Sequence, residues 1–198
     1  MKSKVNPRPV VLAALIISVG LYRLAMTSGT LSPLANFTPL GAMALFGGCY
    51  YQDKWKAYLV PLLTLWLTDI ILNRFVFFHK WVFFYDGFFW VYASFALMVL
   101  IGSYIKSVSV KRVVMVSIVG ALTHWIVSDV GLWLNGGCLP TQGPYIPTWK
   151  TLVQTMEFAL PSMYKLLIGN LVFGALLFGC FELMQRRFPV LQLHTSYE

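Results

Sequence analysis

Two aspartates and a histidine sit where this chain is otherwise apolar. Asp69 lies in LeuThrAspIle at 67–70, with Asn73 four residues on and Trp66 three before, all on one helical face. Asp129 has Trp125 four residues before it and Trp133 four after, and His124 precedes Ser128 by one turn. A carboxylate or imidazole among apolar residues must face protein, water or a partner, because lipid gives it no hydrogen bond. The chemistry open to such groups is structural hydrogen bonding or the lining of a ligand or ion site. His124 and Asp129 are five residues apart, so one helix alone makes a poor dyad of them. Glu157, Lys165 and Asn170 add polar groups near the C-terminal end. Lys165 could snorkel to headgroups, or pair with Asp129, Glu157 or an anionic ligand. Asn170 is placed to hydrogen-bond between helices.

Other chemistries lack their residues. There is no Walker sequence, GxSxG elbow, HExxH or CxxC. The chain is therefore expected not to be an enzyme, although Asp69, His124, Asp129 and Glu157 could in principle serve one. The three histidines and the cysteines Cys49, Cys138 and Cys180 have no metal-like spacing. No cofactor or metal is expected, and Cys49 and Cys180 are expected to pack as small apolar groups.

The elements that must position these residues are set by composition. Of 198 residues, 58% are hydrophobic and 11% charged, and mean hydropathy is +0.70. A soluble domain carries roughly 25% charged residues, so the lipid bilayer is the expected partner. The unbroken apolar run at 10–20 excludes the alternation of a transmembrane β-barrel. The net charge of +8 is spread over short loops without a basic helix, which argues against nucleic acid. The fold expected is an all-α integral membrane protein, one domain of six transmembrane helices in a compact bundle. The approximate spans are 10–26, 37–51, 56–72, 84–105, 113–134 and 158–184.

Six crossings put both termini on one side. With that side cytoplasmic, Lys2, Lys4, Arg8, Lys54, Lys56, Lys106, Lys111, Arg112, Arg186 and Arg187 lie inside, and Arg23, Arg74, Lys80, Lys150 and Lys165 outside. This orientation carries Asp69, Asn73 and Asp129 to the outer half. It also places outside the long segment from Asn135 to Glu157, with Pro140, Pro144 and Pro147, which is either a shaped loop or an external linker. Trp133, Tyr145 and Trp149 there are either interfacial belt or a lid over a ring-containing solute. The second span is short and dense in small residues, Gly41, Ala42, Ala44, Gly47 and Gly48, which suit close helix contact. Asn36 or Thr38 could cap it, with Pro39 in its first turn. Pro161 could start or kink the last span.

The segments NFTPLGAMALFGG at 36–48, PLLTLWLTDI at 61–70, WIVSDVGLWL at 125–134 and ALPSMYKLLIGNLVFGALLFG at 159–179 resemble a family of small bacterial membrane proteins of unassigned biochemical function, described as candidate transport proteins. Such proteins tend to carry an acidic residue where this chain has Asn170. The six-span plan more distantly resembles the substrate-binding S components of energy-coupling-factor (ECF) transporters. That resemblance implies capture of a small, vitamin-like solute from outside a bacterial cytoplasmic membrane. An ECF-type membrane subunit and ATPase subunits would then be partners. It implies a mouth lined by Asn36, Asp69, Asn73, Asp129, Trp133, Trp149 and Lys165, to which the mid-span His124 is added as a substrate-binding candidate. Ala14 and Ser18 give a loose version of the spacing used for subunit contact. Oligomeric state is not legible. An assembly or scaffold protein without a solute is the alternative reading.

Overall fold

A computed structural model describes residues 7–28, 38–136, 138–139, 143–144 and 146–192. It is an all-α bundle of six helices: α1 (Arg8–Ser28), α2 (Leu40–Tyr50), α3 (Lys54–Leu72), α4 (Phe88–Ser103), α5 (Val110–Leu134) and α6 (Trp149–Arg187). A π-helical turn, Asn73–Phe77, extends α3, and a short 3-10 turn, Pro189–Leu191, follows α6. Two-residue strands, Cys138–Leu139 and Gly143–Pro144, pair antiparallel between α5 and α6.

The outside of the bundle is apolar, unlike that of a soluble domain. Leu59, Leu63, Leu67 and Ile71 recur every four residues on α3, and all are exposed. On α5 the exposed residues include Met115, Ile118, Val119, Leu122 and Ile126. Meanwhile Arg8, Thr68, Asp69, Asn73, Ser117, Ser128 and Asn170 are buried. Apolar stripes at helical spacing outside and polar groups inside suit hydrocarbon as the solvent. Four helical segments are long and apolar enough to cross a membrane: Arg8–Thr27, Lys54–Phe77, Val110–Leu134 and Trp149–Arg187. The helices α2 and α4 are shorter and apolar.

The second helix is the axis of the bundle. It has 11 residues, about 16 Å at 1.5 Å per residue, and so falls short of a bilayer core of ~30 Å. It is buried on all sides except at Cys49 and packs against every other α-helix. A helix with no polar face has no solvent side. Its glycines set the spacing. A Cβ on Gly48 would sit 2.0 Å from the Val99 carbonyl oxygen, and one on Gly102 of α4 would sit 2.2 Å from that of Leu45. The two helices therefore meet backbone to backbone, each supplying a glycine to the other. Gly47 leaves room for the Pro61 ring of α3, which a Cβ would meet at 2.6 Å.

Several expected boundaries move. The last helix begins at Trp149 rather than near Phe158 and contains Pro161 in its interior. Thr148 starts it, because its hydroxyl accepts from the Thr151 N–H while Thr151 returns a bond to the Thr148 N–H. Residues 149–157, expected to close an outer loop, are thus helix. The fourth helix begins at Phe88 rather than Phe84, after Gly87 turns the chain at φ 83°. Pro39, not Thr38, occupies the N-cap of α2 and makes no side-chain cap bond. Cys180 is exposed on the outer face of α6 instead of packed, whereas Cys49 is half-buried.

Candidate functional site

The bundle has two unlike ends. At one lie the start of α1, the end of α2 and the end of α6, packed solid. Phe46, Tyr50, Phe178 and Phe181 form an aromatic cluster with ring centroids 4.6–5.8 Å apart. Arg8 is buried over the Phe181 ring at 5.3 Å. Its guanidinium donates to the Tyr50 carbonyl at 3.2 Å and to the Leu191 carbonyl. The Tyr50 hydroxyl donates to Glu182 at 2.6 Å.

At the other end the axial helix stops, and space opens above its first turn. The cavity holds about 400 Å³ and is lined by residues of all six helices and of the turn before α4. From α1 comes Arg23, from α3 Leu65 and Asp69, and from the turn Tyr85, Asp86 and Gly87. Val91 and Phe95 of α4 and His124, Trp125, Ser128, Asp129 and Leu132 of α5 line it as well. Thr38 and Leu40 lie at the base, and Ala159, Ser162, Met163 and Leu166 of α6 complete the wall.

One wall carries a compensated ion pair. Arg23 Nη2 stands 2.7 Å from Asp69 Oδ1, with both side chains about a tenth exposed. Arg23 Nη1 donates to Thr68 Oγ1 at 2.6 Å, and the Tyr92 hydroxyl donates to Asp69 Oδ2 at 2.8 Å. Hydrogen bonds to both partners are what a buried pair needs to offset desolvation. Burial, and then the negative charge of Asp69, push the Tyr85 phenol above its usual range, so it remains a protonated donor at the mouth.

The facing wall carries a carboxylate that has no cation beside it among the described residues. Ser128 Oγ lies 3.4 Å from Asp129 Oδ2 and 3.3 Å from His124 Nδ1. The Ser128 hydroxyl also donates to the His124 carbonyl at 2.6 Å. One small side chain therefore sits between His124 and Asp129, which the helical spacing alone holds apart. The Phe95 ring meets His124 edge to face, with centroids 4.8 Å apart. Trp125 Nε1 donates to the Met156 carbonyl at 3.2 Å and ties α5 to α6.

Of the eight residues expected to bind a substrate, Asp69, His124 and Asp129 line this cavity together. Asn73, Trp133, Trp149 and Lys165 do not. The Asn73 amide donates to the Val82 carbonyl at 3.0 Å and secures the turn. Trp133 Nε1 donates to the Thr148 carbonyl at 3.2 Å and to Thr151 Oγ1 at 3.1 Å, so it fastens the start of α6. Trp149 is 78% exposed. Lys165 is half-buried on α6 beside Leu166 and does not itself line the cavity. Asn36 and Tyr145 lie outside the described residues. Asn170 is fully buried, and its Nδ2 donates to the Ser117 carbonyl at 3.3 Å, as an interhelical tie.

The residues that sequence reasoning missed are Arg23, Tyr85, Asp86 and Ser162, with Tyr92 behind Asp69. Arg23 reads as a topology charge, and Tyr85 disappears into an aromatic-rich connection. The available signal was an arginine near the end of one span matched by an aspartate near the end of another. Among the described residues, no three of His, Cys, Asp and Glu gather closely enough to hold a metal ion.

No curated protein and no solved structure matches the chain. A family model does match, over residues 3–191, and the chain thereby belongs to the family of unknown function DUF6580.

Proposed function

We propose that this protein captures a small solute in the cavity above α2, as a membrane transport protein or the binding subunit of one. The observation that carries the reading is the shape of the interior. A space of about 400 Å³, with charged, hydroxyl and aromatic walls, opens at one end of the bundle. The other end is sealed by Arg8, Tyr50, Phe181 and Glu182. A concave, mostly apolar pocket with a few convergent polar groups is the usual form of a small-molecule site. A one-ended pocket suits capture, whereas passage through the bundle requires a second conformation.

The charge bias supports the outer side as the open one. Arg8, Lys54, Lys56, Lys106, Lys111, Arg112, Arg186 and Arg187 cluster toward the sealed end, where positive residues favour the cytoplasm. The likeness to ECF S components accords with this reading: a solute taken from outside and an ATPase module supplied by other chains, in a bacterial cytoplasmic membrane. The solute is bound and not transformed. The Ser128 proton is engaged by the His124 carbonyl, which leaves no activated nucleophile in that wall.

The test is thermal stabilisation and tryptophan fluorescence of the detergent-purified chain against a panel of soluble metabolites. Ala159→Trp, which fills the cavity from α6, is the comparison. Binding by the natural chain that is lost in Ala159→Trp is the expected result. A panel without a binder, with a stable protein partner recovered on gentle extraction, favours the scaffold reading instead.

A further inference from the structure

We infer that the solute taken by this cavity is an organic cation, with Asp129 as its counter-ion; this rests on the capture reading above. The lining contains three carboxylates, Asp69, Asp86 and Asp129, and one fixed cation, Arg23. Arg23 is bound to Asp69 at 2.7 Å and to Thr68, so its charge is already matched. What remains is negative. Among the described residues, the ion pairs are Arg23–Asp69 and Lys56–Asp53, and Asp129 has no cation beside it. Ser128 Oγ lies 3.4 Å from its Oδ2, but the Ser128 proton goes to the His124 carbonyl at 2.6 Å. Asp86, exposed at the rim, adds a second negative charge along the way in.

A carboxylate held within a membrane helix is costly unless something answers its charge. A charged group on a bound solute would do so, and between protein walls that attraction is screened less than in bulk water. The walls agree with that sign. Tyr85, Phe95 and Trp125 present aromatic rings to the cavity, and the negative face of such a ring attracts ammonium groups. One feature opposes it. The N-terminal turn of α2 forms the base, and a helix N-terminus acts as roughly half a positive charge. Against it stand the full charges of Asp129 and Asp86. The rings and the volume favour an amine with an attached apolar or aromatic body over a bare metal ion, for which the described residues offer no ligand cluster.

The experiment uses the full chain in nanodiscs with three size-matched probes: benzylammonium, benzyl alcohol and benzoate. Binding is read by tryptophan fluorescence and thermal shift. The expected order is benzylammonium first, the alcohol weaker and benzoate weakest. Asp129→Asn should weaken benzylammonium roughly tenfold or more and the alcohol much less, since the ionic contact is lost while shape is kept. Asp129→Glu should restore most of it. Should Asp129→Asn fail to fold, Asp86→Asn at the exposed rim reads the same sign with a smaller loss. Equal affinity of the natural chain and the Asp129→Asn variant for benzylammonium overturns the inference. So does a preference for benzoate or the alcohol that Ala159→Trp abolishes, and that outcome leaves solute capture standing. If no probe binds, the charge of whichever panel metabolite binds and is lost in Ala159→Trp decides the sign. If no metabolite binds either, both readings fall.

Discussion

The Arg23–Asp69 pair allows a quantitative test of how the cavity wall is held. Asp69→Asn removes the negative partner and leaves the guanidinium about a tenth exposed beside an amide. With charge centres roughly 4 Å apart and an effective dielectric near 20, the attraction removed is about 4 kcal/mol. The Thr68 and Tyr92 hydrogen bonds can survive the change, which holds the net loss near the lower part of the ~3–5 kcal/mol expected for breaking a buried pair from one side. Arg23→Gln should cost a similar amount, by leaving Asp69 alone with Tyr92. The double variant should cost less than the sum, with a coupling of about 2–3 kcal/mol, because no charge is left without a partner. The assay is SDS titration of the detergent-solubilised chain, followed by tryptophan fluorescence, for the four members of the cycle. Single-variant losses below about 1 kcal/mol, or additivity within about 0.5 kcal/mol, would refute a buried, mutually compensating pair.

Gly48→Ala and Gly102→Ala should each destabilise the bundle by about 1–3 kcal/mol or more in the same titration, because the new Cβ meets backbone at 2.0 and 2.2 Å and the helices must part. Gly179→Ala, with nothing within 4 Å of its Cβ, should be neutral or stabilise by up to about 1 kcal/mol through helix propensity. Thr148→Ala should cost about 1 kcal/mol and raise hydrogen exchange at the start of α6, since the hydroxyl accepts from the Thr151 N–H; unchanged protection at 149–157 would count against the capping geometry.

Legibility in the sequence followed the range of the interaction. Asp69, His124 and Asp129 stand out because a polar side chain in an apolar run must face inward, whatever the fold. The expected site residues that lie off the cavity include ones whose polar group finds a nearby backbone partner. Asn73 reaches Val82, and Trp133 reaches Thr148. Nothing local distinguishes an amide or indole aimed at a ligand from one aimed at a turn. Likewise Pro161 reads as a break, but it stands inside a helix of 39 residues, because the capped start at Thr148 and the packing of α6 along α5 and α2 outweigh one missing hydrogen bond.

The sequence by itself determined the class of the molecule. Apolar runs long enough for lipid, too few charges for a soluble surface, and an uneven spread of Lys and Arg are additive properties that need no tertiary contact. Tertiary structure decided which groups meet. It made the short glycine-rich segment the buried axis, stopped that axis partway, and so left a cavity above it. It set Arg23 of the first helix against Asp69 of the third and left Asp129 facing open space. Charge compensation depends on distances of a few ångströms between side chains 46 positions apart in the chain, and only the packed bundle fixes those.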